Sequence, residues 1–89
     1  MNAKFQMGGL VGTPNALERI PSAEILIALQ RHLAGDWGDV DEQDREENEF
    51  SLTRDLRLFS VYHAKSGVKF WIISEADRSV TTVLLPCDY

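Results

Sequence analysis

Eighty-nine residues, 44% of them hydrophobic and 26% charged, describe one globular domain, too short for a second and too apolar for a disordered chain. A single cysteine, Cys87, excludes an internal disulfide and a cysteine-based zinc site. No apolar run approaches a membrane span, and Met1 to Gly12 lacks the basic start and apolar centre of a signal peptide, so the expected address is cytoplasmic. The formal charge of −5 is concentrated: residues 36–49, DWGDVDEQDREENE, hold eight acids and one arginine, net −7, while the remaining eight Lys/Arg and six Asp/Glu net +2. A surface of that sign attracts basic protein patches or cations and repels nucleic acid, which makes nucleic acid a poor partner.

In chain order, Lys4 to Val11 is the first expected strand, with Phe5 and Met7 on one side and Gly8-Gly9 marking a bulge or a close backbone approach. Thr13-Pro14 opens a short helix by capping and is closed by Pro21. Ser22 opens a second, running from about Ala23 to Ala34 and stopped by Gly35, with Ile25, Leu26, Leu29 and Leu33 as its buried stripe. His32 extends the row Ile25, Ala28, Leu29 and is placed at the edge of that apolar face, half-buried. Gly35-Asp36-Trp37-Gly38 is a turn carrying an indole, which either plugs the core or meets a partner. Asp41 caps a third helix through about Leu52, whose only apolar side comes from Val40, Phe50, Leu52 and Leu56 and whose outer face is acidic.

From Arg57 to Leu85 the pattern is a three-stranded antiparallel meander, with Lys65-Ser66-Gly67 as a hairpin loop and Ser74 to Ser79 as a polar connection. Its middle strand, Val68 to Ser74, is apolar on both faces, and Trp71 is expected among the most buried residues. The fold class that follows is α+β over residues 1–89, an N-terminal strand and two to three helices packed on a three- to four-stranded sheet.

Chemistry is sparsely marked. The carboxylates of residues 36–49 lack the spacing of a calcium loop, His32 and His63 form no ligand motif, and no metal or cofactor is expected. No nucleophile elbow is present, and Cys87 has no base beside it. RNA cleavage through the 2′-hydroxyl would draw on His32 and Arg78 as catalytic candidates, with His63, Arg57, Lys65 and Lys69 as further parts.

The segments GDWGDVDEQDREENEFSL and WIISEADRSVTTVLLP, with TPNAL and the terminal Tyr89, resemble a family of short bacterial proteins labelled plasmid-related, over Leu10 to Tyr89. That resemblance implies a bacterial protein on mobile or accessory DNA and no defined activity. The layout is similar, in architecture alone, to RelE-like toxins and the barnase, EndoU and colicin ribonucleases. The reading that charge favours is a non-enzymatic interaction module. Its partner would meet Glu46, Glu47, Glu49, Asp36 and Trp37 on the acidic helix and turn, or the sheet would serve as a homodimer contact. The alternatives are a ribonuclease-type or toxin-related domain and an acidic nucleic-acid mimic inhibiting a DNA-acting defence system.

Overall fold

The computed structural model describes residues 3–89. Its elements are β1 (Gly9–Gly12), α1 (Pro14–Arg19), α2 (Ser22–Leu33), α3 (Glu42–Arg54), β2 (Leu58–His63), β3 (Lys69–Ser74), β4 (Val80–Leu84) and a closing 3-10 turn (Pro86–Asp88). The class is α+β, as expected. The four strands form one sheet in the order β1-β4-β3-β2, with β2, β3 and β4 antiparallel and β1 parallel to β4, so the sheet is mixed. Among the described residues, no helix is long and apolar enough to cross a membrane.

The first strand is later and shorter than expected. Gly8 sits at φ +68°, where a Cβ would collide with the carbonyls of Arg78 and Ser79, so the extended run begins only at Gly9. Lys4, Phe5 and Met7 lie against other elements. The Lys4 N–H donates to the Leu33 carbonyl at 2.7 Å, tying this segment to the end of α2.

Alternation along the strands decides the core. Tyr62 of β2, Phe70 and Ile72 of β3 and Val83 of β4 pack against Ala16 and Ile20 near α1 and against Ile25, Ala28 and Leu29 of α2. The stripe on α2 differs from expectation at two positions: Leu26 is exposed, and His32, expected at the edge of the row Ile25, Ala28, Leu29, is buried with it. The small Ala28 lets the helix approach the sheet, and Leu26 falls outside that contact face.

Trp71 is also corrected. It lies on the opposite sheet face and is only partly buried, edge-on to Phe59 at 5.1 Å and to Tyr89 at 5.7 Å, with the Arg57 guanidinium over the Tyr89 ring. Its neighbour Phe70 is the buried aromatic of β3. The α1 and α2 residues of the core cluster pack on the other face, so parity along the strand places the larger ring away from them.

Candidate functional site

α3 begins as the sequence indicated, with the Asp41 carboxylate accepting from the Asp44 N–H at 2.8 Å and Glu42 and Asp44 in the first turn. Its buried residues, however, are Asn48 and Ser51, and its one aromatic, Phe50, is 53% exposed. The helix turns its polar stripe inward. The reason is its position along the outer edge of β2, where backbone groups, rather than an apolar surface, await partners. The Asn48 side chain donates to the Phe59 carbonyl at 2.6 Å and accepts from the Phe59 N–H at 3.0 Å, standing in for a neighbouring strand. Two residues along, Val61 donates to the Trp37 carbonyl at 3.1 Å and accepts from the Asp39 N–H at 2.8 Å, with Gly38 bridged to Val61. Gly38 is required there: at φ +74° a Cβ would collide with the Val61 carbonyl.

With the polar stripe satisfied inside, the outward stripe Gln43, Glu46, Glu47, Phe50 recurs at helical spacings of three and four. Together with Ser51 and Leu56, 45% exposed, these residues line a shallow depression of about 450 Å³. Among the described residues, Glu46 and Glu47 take part in no ion pair. The Arg54 guanidinium lies over the Phe50 ring at 4.8 Å. The site is an apolar pair framed by unpaired carboxylates.

The remaining sequence candidates are elsewhere. Glu49 accepts from the Trp37 indole N–H at 2.7 Å and fixes that ring in place. Trp37 is 1% exposed, 6.4 Å from the Phe5 ring in a stacked arrangement and 5.7 Å from the His32 ring edge-on, so it offers no surface to a partner. Asp36 is exposed but held by the Arg31 guanidinium at 2.7 Å, which with a Gly38 backbone bond keeps its carboxyl below the usual range. Arg78, itself at φ +61°, donates to the carbonyls of Leu56, Glu75, Ala76 and Ser51 and lies 5.5 Å from the Phe5 ring. It staples the end of α3 to the β3–β4 turn.

His32 is not at the edge of the apolar face but sealed within the core, 0% exposed. Nδ1 meets the Ser60 hydroxyl at 2.6 Å and Nε2 meets the Ser74 hydroxyl at 2.9 Å. Ser74 contacts Thr81 at 2.7 Å, and the Thr81 hydroxyl donates to the Met7 carbonyl at 2.7 Å. Because a carbonyl only accepts, the proton directions run backwards from it: Ser74 donates to Thr81, His32 Nε2–H donates to Ser74, and Ser60 donates to Nδ1. Burial, reinforced by the Arg78 charge, lowers the imidazole pKa to about 3. The ring is therefore neutral, with both nitrogens occupied.

Comparison with known proteins returned no match to a family model, a curated protein or a solved structure.

His32, Trp37 and Arg78 thus gather around Phe5, but as packed side chains, and Asp36 points away to Arg31. Among the described residues, no group of three or more His, Cys, Asp or Glu could hold a metal ion. Sequence reasoning missed the outward face of Phe50. The signal available was the row Asp44, Asn48, Ser51, Leu52, whose asparagine is able to cap a strand edge.

Proposed function

We propose that this chain is a non-enzymatic interaction module whose docking surface is the outer stripe of α3, receiving a protein segment that carries Lys or Arg around an apolar side chain. The observation that carries this reading is the inverted helix: Phe50 and Leu56 stand exposed in one depression with Glu46 and Glu47 while Asn48 and Ser51 are buried. An apolar anchor supplies desolvation, and the carboxylates around it supply steering and selectivity for a basic partner. A nucleic-acid mimic needs the charge without the apolar pair, so a peptide segment fits this surface better. The ribonuclease reading draws no support from a histidine that is neutral and sealed from solvent. The likeness to short plasmid-related bacterial proteins belongs to the same proposal, as a setting on accessory DNA, and names no partner.

The test is capture of host proteins by the tagged chain, compared with Glu46→Gln/Glu47→Gln and with Phe50→Ala, each checked for folding by circular dichroism. Glu49 is left intact because it holds Trp37. The expected result is a defined basic protein retained by the parent chain and lost from both variants. Retention by both variants, or nucleic acid as the only material retained, overturns the reading.

A further inference from the structure

The two edges of the sheet are treated differently. Along β2, the outward-facing residues Phe59 and Val61 have their backbone groups satisfied by Asn48 and by residues 37–39. Along β1, the Gly9 N–H donates to the Ser79 carbonyl at 2.9 Å and the Thr13 N–H to the Val83 carbonyl at 3.0 Å, so the odd-numbered residues face β4. In a parallel ladder the alternate residues point their N–H and C=O groups the other way. Leu10 and Gly12 therefore present two donors and two acceptors to solvent. β1 reads Gly-Leu-Val-Gly, with no charge, proline or bulge to discourage another strand.

The surroundings of that edge are apolar. Leu10, Leu17 and Leu26 are 48%, 59% and 56% exposed, and with Ala23, Ile25 and Leu29 they line a groove of about 430 Å³ that contains no charged residue. A heterologous basic or acidic partner would find nothing to pair with, whereas a second copy brings the same apolar wall. Charge placement agrees. The acidic segment 36–49, with eight of the fourteen acids, runs into and along α3 beside β2 at the far end of the strand order β1-β4-β3-β2, so joining two copies through β1 keeps the acidic helices as far apart as the sheet permits.

We propose that the β1 edge is a self-association site at which two copies of the chain pair antiparallel, making one continuous eight-stranded sheet. A two-fold axis normal to the sheet is the operator that gives antiparallel edges with both helical layers on the same side. The register that uses every free group sets Leu10 opposite Gly12 of the second copy, twice, with the two Val11 residues facing one another on the axis. Four backbone hydrogen bonds form, and the two Leu10-Leu17-Leu26 walls meet over them.

The test is sedimentation of the purified full chain together with two variants. The expected parent species has twice the 10.1 kDa chain mass, and Leu10→Lys, at a half-exposed position, returns it to one chain mass with an unchanged circular dichroism spectrum. In a Cys87→Ser background, Val11→Cys is expected to oxidise to a disulfide-linked dimer, because facing residues in a non-hydrogen-bonded antiparallel pair bring their Cα atoms to about 4.5 Å, within the range a disulfide spans. A parent chain that is monomeric at high concentration overturns the proposal and leaves the edge to a strand of another protein. A dimer that survives Leu10→Lys, or that Val11→Cys does not cross-link, overturns it as well.

Discussion

His32 is a core residue whose proton state is decided by its surroundings. With both ring nitrogens bonded to serine hydroxyls and the Thr81-to-Met7 bond setting the direction of the chain, the neutral imidazole is the form that satisfies every member. The consequence for stability follows from linkage. The folded-state pKa of about 3 lies below the ordinary 6.5, so below pH 6.5 the unfolded chain takes up a proton that the folded chain refuses. Stability is complete above pH 6.5 and falls as pH drops from there toward 3, by about 1.4 kcal/mol per pH unit, or about 2 kcal/mol at pH 5. His32→Gln, which retains a donor and an acceptor, is expected to be less stable at pH 7 by about 1–3 kcal/mol and to lose most of this slope between pH 6.5 and 5. Urea titrations at the two pH values check it, and an unchanged slope in the variant would show that the histidine is not the titrating group. Asp36 contributes in the same direction at lower pH, because its ion pair with Arg31 is lost as pH falls through its lowered pKa.

At the scale of elements, β3 carries adjacent aromatics with unequal duties. Phe70 is buried in the core cluster, whereas Trp71 lies half-covered between Phe59 and Tyr89. Phe70→Ala is expected to cost about 3–5 kcal/mol, the range for emptying a well-packed aromatic site, and Trp71→Ala distinctly less because water already reaches part of the indole. Chemical melts of the two variants measure the order, and a larger loss at Trp71 would mean that its face is covered. One amide of α3 covers the β2 edge at Phe59. Asn48→Leu leaves both backbone groups of Phe59 without partners and is expected to cost about 2–4 kcal/mol, while exposing an edge that invites aggregation.

Across the whole molecule, the acidic helix and the bare β1 edge lie at opposite ends of one sheet, so the two proposed surfaces are independent. Leu10→Lys is expected to abolish self-association while leaving capture of a basic partner intact, and Phe50→Ala to do the reverse. Measuring sedimentation and capture on both variants makes this a double dissociation, since sites this far apart without shared contacts have additive effects. If either substitution removed both behaviours, a single interface would be responsible.

Local chemistry determined the elements that were legible in the sequence. Thr13-Pro14 and Asp41 start helices where they were expected, because a side-chain oxygen capping free N–H groups needs only its immediate neighbours. The meander is likewise legible in alternation and turn residues, and so is the polar connection from Ser74 to Ser79, within which the Ser79 N–H donates to Asp77 at 3.0 Å. Concentrated acidity also marked α3 as a candidate surface. Which side of each element faces the core was decided only in three dimensions. Parity along β3 turns Trp71 away from the core cluster, the close approach at Ala28 seals His32 and frees Leu26, and an unsatisfied strand edge draws Asn48 inward and leaves Phe50 outside. Parallel pairing of β1 with β4 was equally hidden, since it depends on residues some seventy positions apart meeting in register. Capping and alternation act over a few residues, whereas burial and edge pairing depend on what the rest of the chain brings alongside.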